Sequence, residues 1–323
     1  MKAIALFSGG LDSTIAAKLL IDQGIEVIAC NINTGFGSTK DRLAHMKNMC
    51  EQIGAEFRSV DIRDEYIREV LFTPKYGYGK NFNPCIDCHA KMFEVAKRVM
   101  EEWGASFLIS GEVLGQRPMS QNSESLQKVL NLSNCEGLLL RPLSAKALTP
   151  TIPETQGWVD REKLENIVGR NRDRQMELAK EFGLKDYEAP GGGCLLTDEK
   201  FSNKIRDFIA HDTFSVEDIP TLKYGRQLRL PEGAKLIIGR NAEDNDILEA
   251  IVNPKFIHIT TELFGPHSLI SANASDNDKV LAAKLVLAYC KQDFVGEQTM
   301  MFGEEELTTV SDMSRHDAQK YFI

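Results

Sequence analysis

No apolar run in the chain approaches the roughly 20 residues that a bilayer-spanning helix requires, so a membrane anchor of that type is excluded. A secretory leader is missing too: Met1-Lys2-Ala3 enters an apolar stretch with no cleavable pattern, and the expected location is the cytoplasm. No internal repeat and no low-complexity tract is found, which sets aside solenoids and disordered tails. Positive charge is in deficit, 38 Lys and Arg against 47 Asp and Glu with a net charge of -9, so the chain is not a basic nucleic-acid coat. A local basic surface for tRNA is still allowed. Its candidates are Arg161, Lys163, Arg170, Arg172 and Arg174 in a helical-looking segment, with a solvated helix face as the plain alternative. The 323 residues, 42% hydrophobic and 26% charged, suffice for two globular domains with a large core.

The stretch that organises the chain is Ser8-Gly9-Gly10-Leu11-Asp12-Ser13. It follows an apolar run, residues 3–7, and leads into an amphipathic segment, residues 13–20. Two glycines between a strand and a helix let the backbone take positive φ and turn amides toward an anion, which a helix N-terminus also favours. Ser8 and Ser13 add hydroxyl donors, whereas Asp12 suits a phosphate site only if it holds a magnesium ion or orients the cradle. The lysine of a Walker loop is absent, so this is not a phosphoryl-transfer P-loop. An ordinary Gly-Ser corner is the structural alternative. The hexapeptide resembles the pyrophosphatase loop of the PP-loop ATPases, and the resemblance implies cleavage of ATP between its α and β phosphates to adenylate a substrate oxygen.

Beyond the loop, strand-like runs at residues 25–32, 56–60, 106–109 and 137–140 alternate with helical patterns at 39–53, up to about 72, and at 91–103. That alternation predicts an α/β fold, a doubly wound parallel sheet whose ligands bind beyond the carboxyl ends of its strands. Asn31, Asn33 and Thr34 end the second strand at that edge as candidate adenosine contacts or turn caps. Residues 73–84, TPKYGYGKNFNP, suit a mobile loop over the site. The pattern from 160 to 182 is helical, and the texture changes near residue 200. The expected domains are 1–199 and 200–323, the second a small α+β module with strands near 226–239 and 256–261 and a helix near 278–289.

Seven cysteines in a cytosolic chain point to thiols, metal ligands or catalysts rather than disulfides. Cys30, Cys50, Cys135 and Cys290 lie in apolar patterns and are expected in packing. Cys85, Cys88 and Cys194 lie instead in Gly or Pro contexts at element ends, the last after the triple glycine 191–193. Thioredoxin-like chemistry belongs to a smaller fold, and haem attachment at Cys-x-x-Cys-His requires export. Zinc would take four ligands, Cys85, Cys88, Cys194 and His89. Three thiolates with no fourth ligand would instead hold a 4Fe-4S cluster with one iron open to hydrosulfide.

The run LISGEVLGQRPMSQNSESLQKVLNLSN, followed by LLLRPL, is similar to the tRNA 4-thiouridine synthetase family, and NPCIDC is similar to the tRNA 2-thiouridine synthetases. Cys88 matches the catalytic cysteine of the latter, and Cys194 sits where these families keep a second essential cysteine. Cys85 completes a CxxC plus distant cysteine set like that of iron-sulfur-dependent thiolases. Residues 223–248 resemble the RNA-binding domain of the NFACT family, with Arg226, Arg229, Lys235 and Arg240 as phosphate contacts. No tRNA-binding extension of the 4-thiouridine type and no rhodanese domain is recognisable.

The resemblance implies an ATP-dependent tRNA sulfurtransferase with ATP, Mg2+ and a 4Fe-4S cluster as cofactors. Its partners would be tRNA and a sulfide or persulfide donor, with no membrane, and a homodimer is allowed. Asp12, Cys88 and Cys194 are the implied catalytic residues. Ser8, Gly9, Gly10, Leu11, Asp12, Ser13, Asn31, Asn33, Gly111, Glu112 and Gln116 are the implied nucleotide contacts, with Gln121 lining the pocket, and Cys85, Cys88 and Cys194 the metal ligands. Two alternatives stand beside this: a PP-loop ligase or amidotransferase carrying structural zinc, and a non-catalytic RNA-binding or ribosome-associated module.

Overall fold

The computed structural model describes residues 1–38, 42–188, 193–291, 296–310 and 312–323. The chain divides into two compact units, Met1–Thr197 and Asp198–Ile323. Among the described residues no helix is long and apolar enough to cross a membrane.

The first unit is built on a five-stranded sheet of β1 (Lys2–Leu6), β2 (Glu26–Asn33), β3 (Glu56–Asp61), β4 (Phe107–Ile109) and β5 (Leu139–Leu140), in the order β3-β2-β1-β4-β5. Every pairing is parallel. Helices cover both faces, and so the central strands are continuous apolar runs such as Ala3, Ile4 and Ala5, all buried. The chain leaves β1 toward one edge and returns at β4 to build the other. The crevice of such a sheet opens at that switch point, between the loops that follow β1 and β4.

Helix Leu11–Ile21 departs from the amphipathic expectation: Leu11, Ile15, Ala16, Ala17, Leu19 and Leu20 are all buried. It lies between the sheet and the helices Leu43–Ile53 and Asp173–Glu181, which leaves it little wet face. The helix expected at 91–103 begins at Cys85 and ends at Arg98, so the CxxC pair lies in its first turn rather than before it. The segment 160–182 is not one helix but a short turn, Arg161–Lys163, and a helix, Asp173–Glu181. The start of the pattern at 39–53 and the glycines 191 and 192 lie outside the described residues; the helix there is Leu43–Ile53.

The second unit holds a six-stranded antiparallel sheet of β6 (Arg226–Arg229), β7 (Lys235–Ile238), β8 (Phe256–Thr260), β9 (Ser268–Ser271), β10 (Glu297–Phe302) and β11 (Glu305–Val310), in the order β11-β10-β8-β9-β7-β6. Leu228, Leu236, Ile238, Ile259 and Ile270 face the helix Asp276–Leu287 and form its core. Strands β9 to β11 and helices Glu199–His211 and Ala242–Glu249 were not anticipated; β9 is only four residues long and β10 (EQTMMF) is largely polar in its first half.

Gly111, at the mouth of β4, packs directly onto the loop after β1. A Cβ there would lie 2.6 Å from Ser13 N and 2.7 Å from the Asp12 carbonyl carbon, both backbone atoms that cannot turn aside. Gly111→Ala is therefore expected to cost about 1–3 kcal/mol in urea unfolding. Unchanged stability would mean that the two loops are not in contact.

Candidate active site

The cradle is a helix start with its donors left open. Gly9 takes positive φ (72°), but Gly10 is extended (φ -79°), so one left-handed residue rather than two makes the turn. Gly10 is the N-cap and supplies no side-chain bond, so the first amides of helix Leu11–Ile21 are available to an anion. Ser13 Oγ donates to Gly10 O (2.9 Å) and lies 3.3 Å from Ser8 Oγ, which fixes the two hydroxyls against each other. His45 holds the Gly9 carbonyl at 3.0 Å from the neighbouring helix. Leu11 turns its side chain into the core, leaving only its backbone to face a ligand.

Asp12 is placed from three directions. Its Oδ2 accepts from Gln116 Nε2 (2.8 Å) and Arg172 Nη2 (3.0 Å), and Gln175 Nε2 in turn donates to Gln116 Oε1 (3.1 Å). Its other oxygen, Oδ1, is buried with no hydrogen-bond partner. A carboxylate half-neutralised by arginine, with its second oxygen unclaimed, has the chemistry of a magnesium ligand. Arg172, placed by its sequence neighbours among the tRNA candidates, thus belongs to the cradle.

The three unusual cysteines are brought together. Burial first, then the thiols of Cys88, Cys194 and Cys85, push the buried Tyr66 hydroxyl well above its ordinary pKa, so all three lie within electrostatic reach of one group. The convergence has a covalent-scale logic. Lys91, one turn beyond Cys88, is buried and pairs with Glu65 (2.6 Å) and Glu69 (2.9 Å), clamping the segment that carries Tyr66 onto the CxxC helix. Phe82 N donates to Leu196 O (3.2 Å), Asn81 Nδ2 to Thr197 O (2.8 Å) and Leu195 N to Phe36 O (3.0 Å), which docks the Cys194 turn beside them. The expected mobile loop at 73–84 is accordingly pinned: the Asp87 carboxylate accepts from Lys75 N (2.6 Å) and Tyr76 N (3.0 Å), and Tyr78, Phe82 and Phe72 pack as an aromatic cluster.

The thiols are not equivalent. Burial raises Cys88 and Cys194. Burial opposes ionisation of Cys85 as well, but hydrogen bonds from His89 and Ser120 and the charges of His89 and Arg117 outweigh it and hold its pKa at about 7. His89 is raised despite burial, by bonds to Cys85 and Glu112. Glu112 Oε1 lies 2.9 Å from His89 Nδ1, and Oε2 accepts from Arg141 Nε at 2.9 Å. Thiolate, imidazolium, carboxylate and guanidinium alternate in sign.

Several expectations change here. Glu112 does not face nucleotide or base; it is buried between His89 and Arg141. Asn31 ties the ends of neighbouring strands together, donating to Phe7 O (3.3 Å) and accepting from Ser59 Oγ (3.4 Å), whereas Asn33 Oδ1 caps Gly35 N (3.0 Å) in a local turn. Gln121 Oε1 is buried without a partner. Zinc on Cys85, Cys88, Cys194 and His89 does not fit: both ring nitrogens of His89 are engaged, and no three His, Cys, Asp or Glu side chains among the described residues are arranged around one ion. Cys30, Cys50, Cys135 and Cys290 are buried packing residues, burial lifting Cys30 and Cys50 to about 12. Tyr66, Arg117, Ser120, Arg141 and Gln175 were not singled out; Arg117 and Ser120 lie in the GEVLGQRPMSQ run and Arg141 in the RPL motif, while Tyr66 and Gln175 carried no signal.

The expected basic surfaces are largely neutralised. Arg161 pairs with Glu154, and Arg174 with Glu165 (2.9 Å) and Glu181 (2.9 Å). In the second unit Arg229 pairs with Asp207 (2.6 Å), Arg240 with Asp244 and Arg226 with Gly239 O (2.6 Å).

Residues 1–162 match the family model described as tRNA methyl transferase HUP domain, and residues 225–322 the one described as NFACT protein RNA binding domain. The chain is 24% identical over 226 residues to tRNA-specific 2-thiouridylase MnmA 2 of Fusobacterium nucleatum, covering 66% of this chain and 61% of that protein. It is 24% identical over 236 residues to tRNA-specific 2-thiouridylase MnmA of Francisella philomiragia, covering 69% and 62%. The chain thus spans about three fifths of the length of the curated relatives it matches. Among solved structures it is similar to a 4-thiouridine synthetase-RNA complex with bound ATP, at 21% identity and TM-score 0.39, covering 69% of this chain and 52% of that one.

The charge alternation makes a measurable claim about Cys85. Its alkylation by iodoacetamide in the apo full chain, followed by peptide mass spectrometry, is expected to rise with pH through a midpoint at about 7. His89→Gln removes the cation that stabilises the thiolate, so the midpoint moves up toward the ordinary thiol value of 9.0. A midpoint that stays put would separate His89 from Cys85.

Proposed function

The chain belongs to the tRNA methyl transferase HUP domain family, and from that premise we propose that it is an ATP-dependent tRNA sulfurtransferase, its PP-loop unit carrying the chemistry and its second unit holding RNA. The observation that carries this reading is the approach of a three-thiol cluster to a phosphate cradle through one segment, 110–112: Gly111 packs on Asp12 and Ser13 while Glu112 binds His89, the partner of Cys85.

In this reading the open amides at the start of helix Leu11–Ile21, with Ser8 and Ser13, hold the phosphates of ATP. Asp12 Oδ1 is the atom that would hold a magnesium ion, which would neutralise phosphate charge there, and Arg172 and Gln116 fix the carboxylate through its other oxygen. A uridine carbonyl oxygen attacks the α-phosphorus, the bond to the β-phosphate oxygen breaks, and pyrophosphate leaves. Adenylation turns that oxygen into a good leaving group. Sulfur at the hydrosulfide level then bonds to the same carbon as the carbon-oxygen bond breaks and AMP departs, with no net oxidation.

Cys85, Cys88 and Cys194 lie within electrostatic reach of one another but are not drawn together around one ion; a 4Fe-4S cluster, if these three thiolates held it, would supply a site for an inorganic sulfur atom. The protein's own contribution at that site is charge: His89 and Arg117 place positive charge beside Cys85, and Tyr66 offers a buried hydroxyl to Cys88. The relatives carry the name 2-thiouridylase, so 2-thiouridine is the product to look for first.

Two assays divide the roles. Asp12→Ala is expected to lower ATP-pyrophosphate exchange with tRNA by about 100-fold or more. Cys88→Ala and Cys194→Ala are expected to keep exchange and yield no thionucleoside by mass spectrometry of the digested tRNA. Normal exchange in the Asp12 variant, or normal thiolation in both cysteine variants, would defeat the assignment.

A further inference from the structure

The second unit contains a cationic cleft that none of its surface charges explains. It has a volume of about 270 Å³ and lies between the end of helix Glu199–His211, the start of β7 and the turns flanking β8 and β9. Arg229, Lys235 and Lys255 line it against one carboxylate, Asp212, with His211 at the same end. Its floor is Lys235, which strand alternation turns away from the apolar core formed by Leu236 and Ile238. Lys235 is 2% exposed, and its ammonium makes no hydrogen bond. The nearest carboxylate oxygen, Asp207 Oδ2, stands 3.6 Å away and is already taken by Arg229 at 2.6 Å.

An ammonium with three donors, out of water and without a hydrogen bond, is a cost that the fold offsets only in part, through Asp207 at 3.6 Å and the face of the Phe208 ring. Lys255 shares the same ring: both ammonium groups lie 5.2 Å from the centroid of Phe208, an attraction that leaves their hydrogen-bond donors free for an acceptor. Lys255 is tied to Asp218 (2.7 Å) and to the carbonyl of Thr213, so its charge is balanced more fully than that of Lys235, whose ion pair is with the Asp207 that Arg229 shares. Burial accordingly holds Lys235 down to about 7, Asp207 opposing and Arg229 and Lys204 reinforcing the fall. An oxyanion set between floor and rim would supply the missing acceptors and charge. The cleft is smaller than the about 300–1,000 Å³ typical of cofactor sites, so it suits one charged group and not a whole nucleotide.

We propose that this cleft is a phosphate-binding subsite whose floor is Lys235 and whose rim is Lys255, and that it takes a backbone phosphate of bound RNA. The proposal rests on reading the second unit as RNA-binding. Of the four phosphate contacts the sequence suggested, it keeps Lys235 as a buried one and adds Lys255, while Arg226, Arg229 and Arg240 are bonded within the unit.

The test compares the full chain with Lys235→Met, binding an unmodified tRNA transcript by fluorescence anisotropy and inorganic phosphate by calorimetry. Neither assay includes ATP or a sulfur donor, so failure of the sulfur-transfer reading and failure of this one are told apart. The variant is expected to lose one phosphate site while keeping any binding at the Ser8–Ser13 cradle, to bind tRNA about tenfold more weakly and to lower the slope of log affinity against log salt by about one. Loss of that site with unchanged tRNA affinity would overturn the RNA assignment and leave a site for free phosphate. Phosphate binding equal to that of the parent would overturn the site. Independently of any variant, saturating phosphate should slow acetylation of Lys235 in the parent chain, read by peptide mass spectrometry; equal labelling with and without phosphate also overturns it.

Discussion

The Glu112 carboxylate is the interaction on which the first unit's site depends. Buried beyond the reach of bulk water, it is shared by His89 from the CxxC helix and Arg141 from the end of β5, and its own backbone follows β4. Three chain segments therefore meet on one charge. Burial alone would protonate it; the opposite charges of Arg141 and His89 overcome that and hold its pKa at about 2. Removing one partner of such a buried pair typically costs about 3–5 kcal/mol, because the other charge stays behind unpaired. The same carboxylate keeps His89 cationic, and His89 favours the thiolate of Cys85.

One residue earlier, Gly111 lets the β4 loop lie against the backbone of Asp12 and Ser13. The thiol side and the phosphate side of the crevice are thus neighbours along three consecutive residues. Any shift of this segment moves both. Around it the charges are arranged in closed sets: Lys91 with Glu65 and Glu69, Asp12 with Arg172, Glu112 with Arg141. Such sets fix positions more than they add stability.

The two units treat positive charge in opposite ways. In the first, Arg161 and Arg174, which looked like part of an RNA surface, are bound to glutamates and Arg172 to Asp12, which agrees with a chain that carries an excess of acid. In the second, one lysine is buried with no hydrogen bond while its arginine neighbours are paired. A buried ammonium without a hydrogen bond, sharing its one nearby carboxylate, Asp207, with Arg229, is the more informative feature, since folding alone gives little reason to keep it.

Much of the fold was legible in the chain itself. Alternating apolar runs and helical patterns set out the parallel sheet, and Ser8-Gly9-Gly10-Leu11-Asp12-Ser13 marked the helix start that faces its crevice, because strand period, glycine and helix N-terminus are local properties. The contrast between cysteines in apolar patterns and cysteines in Gly or Pro turns was equally local, and it separated four packing residues from the other three. What partners those three have, and which is ionised, was not: Tyr66, Arg117 and Arg141 reach the site from segments distant in sequence, and Glu112 and Arg172 take roles that their immediate neighbours do not suggest. Spacing along the chain fixes which face a residue occupies, while the ionisation of a thiol or a lysine depends on burial and on charges brought within a few ångströms, and only tertiary packing decides those.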